Sequence, residues 1–228
     1  MAKHSFFIAG TDTDVGKTVV SAGLLCAANN RGLRTIGLKP VAAGCCDTEQ
    51  GLRNDDALTL QKTASIQLTY EQVNPVALKP AIAPHIAAGR EQKRLSAERI
   101  AAVCKGALMQ PADFVIVEGA GGWRVPLNPR ETMAHIPKQL GTSVIMVVGM
   151  KLGCINHALL TAESIARDGV RLAGWVANCI DADMDCYEEN VSTIEAMLRA
   201  PLIGNIPYLD DISPESVAEY FDLDLLLA

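Results

Sequence analysis

The stretch at residues 10–18, Gly-Thr-Asp-Thr-Asp-Val-Gly-Lys-Thr, constrains the fold of this chain more than any other segment. It follows an apolar run at residues 4–9, which predicts a strand, and it precedes residues 19–28, which have helical character. A strand, a glycine loop ending in Gly-Lys-Thr and a helix form a phosphate-binding loop, whose backbone N–H groups face phosphate oxygens. The strict pattern has four residues between its glycines, and Gly10 lies one residue too far from Gly16. The sequence therefore predicts a wide variant of this loop.

Two side chains of the loop, Lys17 and Thr18, suit a phosphate-binding site, whereas the carboxylates of Asp12 and Asp14 do not. Lys17 would neutralise the β- and γ-phosphates of a nucleotide, and the Thr18 hydroxyl would hold Mg²⁺. Asp12 and Asp14 would repel a triphosphate. Either both turn outward as turn or cap residues, or one of them faces Mg²⁺ or a cationic amine substrate. A helix-capping turn without any ligand is the alternative for the whole stretch.

The composition excludes several classes of protein. With 49% hydrophobic and 20% charged residues, the 228-residue chain can bury a core. Its net charge of −6 argues against a nucleic-acid partner bound through a basic surface. No signal peptide is recognisable, and no apolar run is long enough to span a bilayer. The seven cysteines contain no Cys-x-x-Cys pair, which favours free thiols in a reducing cytosol. We expect a cytoplasmic protein without a membrane partner.

Short strands rich in Val and Ile alternate with helical segments along the chain. Beyond the loop, strands are predicted at residues 35–39, 113–118, 142–149, 172–178 and 202–206. Helices are predicted at residues 54–64 and 96–109, capped by Asn54 and Ser96, and at 155–167, 188–199 and 214–221. Residues 68–89 are expected to be loops with a short helix near 82–88. This alternation predicts one α/β domain over residues 1–228, with a mostly parallel sheet, helices on both faces and a P-loop NTPase-like fold.

Polar side chains stand at the carboxyl ends of four of these strands or directly after them. They are Lys39, Glu118, Lys151 and Asn178. Ligands of open α/β sheets bind outside the carboxyl ends of the strands, so we expect these side chains to meet the glycine loop at one site. Glu118 is placed where a second metal-binding acid is wanted, whereas Lys39 taken alone could equally be a solvated surface group. His85 and His157 lack a second ligand at metal spacing and are expected to pack or cap.

Six motifs, found in order from residue 6 to about 209, resemble those of dethiobiotin synthetases. They are the stretch 10–18, Lys-Pro-Val-Ala-Ala-Gly at 39–44, Gly-Leu-Arg-Asn-Asp-Asp-Ala at 51–57, Val-Glu-Gly-Ala-Gly-Gly at 117–122, Lys-Leu-Gly-Cys-Ile-Asn-His at 151–157 and Gly-Trp-Val-Ala-Asn at 174–178. The wide glycine loop is itself a hallmark of that family. The resemblance implies an ATP- and Mg²⁺-dependent ligase. Its substrate, 7,8-diaminopelargonic acid, takes up CO₂ as a carbamate, ATP phosphorylates the carbamate, and the second amine closes a cyclic urea.

The resemblance also implies roles for individual residues. Catalytic roles fall on Lys39, Thr13, Lys17, Asp14 and Lys151. The ATP site would contain Asp14, Val15, Gly16, Lys17, Thr18, Val19, Glu118, Asn178, Pro207 and Tyr208. The Mg²⁺ ligands would be Thr18, Asp56 and Glu118. The diamine would contact Lys39, Ala43, Gly153, Cys154 and Asn156. The last three belong to a turn that the neighbouring subunit of a homodimer would contribute, where it would hold the substrate carboxylate.

Three positions depart from the pattern of the family. Ala43 stands where a serine is expected, Asp14 stands where Glu is often found, and Asn190 stands where a tyrosine is expected, with Tyr187 about a turn earlier.

Two other classes of protein remain as alternatives. A P-loop switch ATPase of the partitioning type would carry a signature lysine early in the loop, where this chain has Thr-Asp-Thr at residues 11–13. An amidotransferase-type synthetase without its glutaminase domain would be longer.

Overall fold

The computed structural model describes residues 3–227. Its strands are β1 (His4–Gly10), β2 (Thr35–Leu38), β3 (Val41–Ala43), β4 (Cys46–Thr48), β5 (Gly51–Arg53), β6 (Val76–Leu78), β7 (Phe114–Gly122), β8 (Ser143–Met150), β9 (Leu172–Cys179) and β10 (Leu202–Ile206). Its helices are α1 (Lys17–Asn30), α2 (Asp55–Thr63), α3 (Tyr70–Val73), α4 (Pro84–Arg90), α5 (Ala97–Leu108), α6 (His135–Leu140), α7 (Cys154–Arg167), α8 (Tyr187–Met197), α9 (Pro214–Ala218) and α10 (Asp224–Leu227).

The central sheet has six parallel strands in the order β10-β9-β8-β1-β7-β2. Side chains alternate between the two faces of a strand. Phe7 and Ala9 belong to one buried cluster, whereas Phe6 and Ile8 belong to another, so helices cover both faces of the sheet. The predicted parallel sheet with helices on both faces is confirmed. The single-domain assignment stays a prediction.

The register of the sheet brings the strand ends together. Leu38 of β2 pairs with Val117 of β7, so the next residues, Lys39 and Glu118, emerge side by side. β1 lies between β7 and β8 in the middle of the sheet, and the glycine loop leaves its carboxyl end. Lys39 and Glu118 therefore reach the loop from two neighbouring strands, β2 and β7.

Two of the predicted strands are longer in the structure. β7 continues through the glycines to Gly122, because Gly10 of β1 still pairs with Gly122. Glu118 consequently lies within its strand, whereas the sequence had suggested that it stands at the end of the strand. The same correction applies to Asn178, since β9 extends to Cys179. A glycine backbone can continue a ladder although it contributes no apolar pattern.

Other differences concern short elements. Within residues 68–89, expected to be loops with one helix, the structure has α3, β6 and α4, and β6 pairs in parallel with β3. The hairpin β4–β5 and the helices α6 and α10 were not predicted, and the closing helix α9 ends at Ala218 instead of residue 221. Ser96 precedes α5 as predicted, but its side chain makes no capping hydrogen bond. Three-residue strands are too short to show an alternating pattern.

Two further expectations concern the chain as a whole. All seven cysteines are free thiols, as predicted. Among residues 3–227, no helix is both long and apolar enough to cross a membrane. A cytoplasmic location stays a prediction.

Asn54 is the N-cap of α2, the helix that carries Asp56. Its side chain accepts a hydrogen bond of 3.2 Å from the Ala57 N–H. We predict that Asn54→Ala lowers the free energy of unfolding by about 1 kcal/mol, because an N–H at the start of the helix loses its partner. Urea denaturation measures the change. The control Asn54→Ser keeps an acceptor and should lose less, and equal losses in the two variants would contradict the capping role.

Candidate functional site

The glycine loop between β1 and α1 is held by the neighbouring strands. The Asn178 Nδ2 donates to the Val15 carbonyl at 2.9 Å, and the Thr11 N–H donates to the Val147 carbonyl at 3.0 Å. Gly16 has φ of 84°, and a Cβ atom there would lie 2.1 Å from the Asn178 Nδ2. Only glycine fits this position without displacing Asn178. The loop is therefore fixed by contacts within the protein.

Lys17 begins α1 and is buried. Its Nζ curls back over the loop and donates to the Asp12 carbonyl at 3.0 Å. Burial, together with the positive charge of Lys39, lowers the pKa of Lys17 to about 8, and nearby carboxylates offset only part of this effect. An anion bound beside the loop would supply the negative charge that this ammonium lacks.

Lys39, Asp56, Glu118 and Thr18 form a cluster beside the loop. The Lys39 Nζ donates to the Glu118 Oε1 at 2.5 Å and to the Asp56 Oδ2 at 2.8 Å. The Thr18 Oγ1 donates to the same Glu118 Oε1 at 2.9 Å. Glu118 has a relative exposure of 0% and Lys39 of 4%. Lys39 and Glu118 thus form a buried ion pair, in which either charge would be very costly without its partner, whereas the Asp56 side chain is 41% exposed.

Within the cluster, Lys39 and Asp56 each stabilise the charged form of the other, which shifts the pKa values of both. Burial by itself would lower the pKa of Lys39, but the charges of Glu118 and Asp56 outweigh it and raise that pKa above its usual value. Burial would raise the pKa of Asp56, but Lys39, together with Thr18 and Lys17, outweighs this effect and lowers that pKa. Lys39 is therefore an ammonium at neutral pH, which suits an electrostatic role better than that of a general base.

The oxygen atoms of the cluster fit a magnesium ion. The Glu118 Oε2 is buried and has no hydrogen-bond partner within the described chain. Together with Asp56 and the Thr18 hydroxyl it forms an all-oxygen donor set, which Mg²⁺ prefers. Within residues 3–227, no group of three or more His, Cys, Asp and Glu side chains is arranged to hold a metal ion by itself. His85 and His157 are therefore part of no such group. A metal here would take its remaining ligands from water and phosphate.

A cavity of about 750 Å³ opens beside the loop and the cluster. The predicted site residues that line it are Thr13, Asp14, Gly16, Lys17, Thr18, Val19, Lys39, Ala43, Asp56 and Glu118. Val15 is buried beneath the loop and does not reach it.

One wall of the cavity is apolar and was not predicted from the sequence. It includes residues 81–84 before and at the start of α4, as well as Ala120 and Val125. The sequence did predict a short helix near residues 82–88. That segment carries no residue pattern that indicates a ligand site.

Asp12 and Asp14, which the sequence left unresolved, have different surroundings. The Asp12 Oδ1 accepts a hydrogen bond of 2.8 Å from the Thr13 N–H, and its Oδ2 lies 3.8 Å from the Lys151 Nζ. Asp14 has φ of 56°, is exposed and lines the cavity. The Asp12 carboxylate is thus engaged within the chain, by the Thr13 N–H, whereas Asp14 faces the space available to a ligand.

The remaining predicted residues lie outside this cavity. They are Lys151, Gly153, Cys154, Asn156, Asn178, Pro207 and Tyr208. Ile206 of β10 pairs with Asn178 of β9, so Pro207 and Tyr208 follow directly beyond Asn178 at the same edge of the sheet. Cys154 is buried, with its Sγ 3.8 Å from the Asn190 Oδ1.

Comparisons with known proteins identify the family. Residues 4–216 match the family model of the AAA domain. The ATP-dependent dethiobiotin synthetase of Cellvibrio japonicus is 58% identical over 227 residues, covering 100% of this chain and 99% of the relative. That of Pseudomonas aeruginosa is 52% identical and covers 96% of both chains, and that of Vibrio parahaemolyticus is 47% identical and covers 98% of this chain and 97% of the relative.

Solved structures support the fold at much lower identity. The MinC:MinD cell division protein complex of Aquifex aeolicus aligns with a TM-score of 0.59 and 17% identity, covering 95% of this chain and 87% of that one. The ParA family ATPase of Chlorobium tepidum aligns with a TM-score of 0.57 and 14% identity, covering 98% and 93%. These likenesses establish the P-loop fold and carry no further function. The near-complete coverage at 47–58% identity decides the family, and this chain belongs to the ATP-dependent dethiobiotin synthetases.

Proposed function

We propose that this chain catalyses the ATP-dependent conversion of 7,8-diaminopelargonic acid and CO₂ to dethiobiotin, with release of ADP and phosphate. Membership of the family supports the ligase activity and the use of ATP. The observation that carries the proposal is that the glycine loop, Lys17, Lys39, Asp56 and Glu118 border one cavity. The partitioning-type ATPase is not favoured, since such proteins share the fold but only 14–17% of the sequence.

The loop and Lys17 would bind the phosphates of ATP. Backbone N–H groups at the start of α1 would donate to the phosphates, and the Lys17 ammonium would exchange the Asp12 carbonyl for a phosphate oxygen. Thr18, Asp56 and Glu118 would hold Mg²⁺, which when bound neutralises phosphate charge. Phosphoryl transfer requires mainly positioning and charge stabilisation, and these residues supply both.

Lys39 would face the carbamate that forms on the diamine. One amine adds to CO₂ and loses a proton, and a carbamate oxygen then takes the γ-phosphoryl group from ATP as ADP departs. The second amine attacks the carbonyl carbon of this anhydride, expels phosphate and loses a proton to solvent as the urea ring closes. A permanently charged Lys39 stabilises the carbamate and the transferred group without exchanging a proton. Lys151, near the edge of the loop, would add positive charge.

The two amines need a partner of opposite charge. Asp14 and Thr13 line the cavity, and we assign Asp14 to the ammonium form of the diamine. Ala43 also lines the cavity but offers no hydroxyl, so a water molecule would occupy the place of the serine expected there.

Adenine would lie beyond the loop, near Asn178, Pro207 and Tyr208. The Asn178 Nδ2 is engaged with the Val15 carbonyl, which leaves its Oδ1 to accept a hydrogen bond from the adenine amino group. Asn178 would then connect the position of the base to that of the phosphate loop.

The turn at residues 153–156 would act on the cavity of a partner subunit in a homodimer. Within this chain the turn does not line the cavity. The Cys154 Sγ contacts Asn190 and its N–H donates to the Lys151 carbonyl, whereas the side chain of Asn156 is exposed. Asn156, at the start of α7, is therefore the better placed donor for a substrate carboxylate.

The first test concerns substrate dependence. We predict that phosphate release from Mg-ATP requires the diamine and bicarbonate together, because the carbamate is the phosphoryl acceptor. A coupled phosphate assay with each component omitted in turn measures this. Equal ATP turnover without the diamine would contradict the proposal.

The second test concerns Lys39. We predict that Lys39→Gln lowers turnover by at least about a hundredfold, because the group that stabilises the carbamate and the transferred phosphoryl is lost. Circular dichroism in the presence of Mg-ATP checks that the variant is folded. The control Lys62→Gln removes an exposed lysine from α2 and should retain full activity. Near-normal turnover of Lys39→Gln would remove this residue from the mechanism.

The third test uses the lowered pKa of Lys17. In the free protein this pKa is about 8, so the ammonium loses its proton as the pH rises through that value. Bound phosphates keep Lys17 charged, and ATP binding above pH 8 must therefore take up a proton. We predict that the Kd for ATP increases about tenfold for each pH unit above 8.

Isothermal titration between pH 7 and pH 9 in buffers of different ionisation enthalpy measures both the affinity and the proton uptake. Lys17→Arg provides the control, because arginine stays charged over this range and should show a flat profile. The same pH dependence in both proteins would assign the effect to another group.

A further inference from the structure

Lys39 is the direct counter-ion of both cluster carboxylates. Its Nζ bridges the Asp56 Oδ2 at 2.8 Å and the Glu118 Oε1 at 2.5 Å. The other nearby lysine, Lys17, points its Nζ at the Asp12 carbonyl instead. Within residues 3–227, no cation other than Lys39 forms an ion pair with Asp56 or Glu118.

The carboxylates that Lys39 bridges are those that fit a metal ion. The third metal donor, the Thr18 Oγ1, donates its hydrogen bond to the same Glu118 Oε1 that accepts from Lys39. An ammonium with a short contact to each carboxylate occupies the space between them. A divalent cation and an ammonium repel each other and cannot share these oxygens at ligand distance.

We propose that Lys39 and the divalent cation compete for Asp56 and Glu118, so that metal entry releases the Lys39 ammonium towards the cavity. This inference depends on the proposed metal site, and it gives that site a function beyond charge neutralisation. Lys39 lines the cavity, so the released ammonium reaches the space assigned to the carbamate and the transferred phosphoryl group. The charged group needed by the substrate would thus become available when the metal is in place.

One arrangement would avoid competition. The Glu118 Oε2 has no hydrogen-bond partner and could bind a metal while Oε1 keeps Lys39. Lys39 would then stay in its ion pairs, and its removal would weaken or leave unchanged the binding of a metal. The two arrangements therefore predict opposite effects of neutralising Lys39 on metal affinity.

The experiment measures Mn²⁺ binding to the nucleotide-free protein by electron paramagnetic resonance, with Mn²⁺ as a probe for Mg²⁺. We expect Lys39→Met to bind Mn²⁺ about tenfold more tightly than the unaltered chain, because the competing cation is gone. The matched control Lys62→Met removes the same charge from the exposed surface of α2 and should change affinity by less than about twofold. Equal, weaker or absent Mn²⁺ binding by Lys39→Met would overturn the proposal.

A second measurement does not depend on the folding of a variant. In the unaltered chain, the Lys39 amine is buried and ion-paired, so an amine-acetylating reagent should modify it slowly. Mg²⁺ is expected to accelerate the acetylation of Lys39 several-fold, as measured by peptide mass spectrometry, while Lys62 keeps its rate. An unchanged or slower rate at Lys39 at a saturating Mg²⁺ concentration would contradict release.

Neither measurement includes ATP, the diamine or bicarbonate. Failure of the competition would therefore leave the proposed ligase reaction intact, and failure of the ligase assay would leave the competition intact.

Discussion

The ion pairs of Lys39 with Glu118 and Asp56 are the interaction on which the site depends. A buried charge without a partner would cost several kcal/mol, so the fold must bring the buried Lys39 and Glu118 together from separate strands. The pairing of Leu38 with Val117 sets Lys39 beside Glu118. Helix α2, capped by Asn54, adds Asp56. The parallel order of β1, β7 and β2 then places this cluster against the glycine loop.

The two lysines that line the cavity, Lys17 and Lys39, differ in their hydrogen-bond partners. Lys39 has carboxylate partners and stays charged, whereas Lys17 donates to a backbone carbonyl and has a lowered pKa. A bound polyanion would supply the negative partner that Lys17 lacks. A divalent cation would replace Lys39 at its carboxylates. The arrangement of charge in the free protein therefore favours a ligand that brings both, as a nucleotide with its metal does.

Much of this architecture could be predicted from the sequence, because Val- and Ile-rich strands, the glycine loop and the cap at Asn54 have local patterns. The pairing of β3 with β6 and the apolar wall at residues 81–84 depend on contacts between distant segments, which three-residue strands do not reveal. The roles of individual residues came from the resemblance to the family. Geometry then separated Asp12, whose carboxylate accepts a hydrogen bond from the Thr13 N–H, from Asp14, which faces the cavity.

The proposed reaction joins CO₂ to a diamine and consumes ATP in the cavity beside the glycine loop. It can be followed by supplying the diamine, ¹³C-labelled bicarbonate and Mg-ATP, with the product detected by mass spectrometry and phosphate by a colorimetric assay. We expect one labelled carbon in the cyclic urea of dethiobiotin and one phosphate released for each product molecule. Phosphate release without a labelled ring product would rule out this reaction.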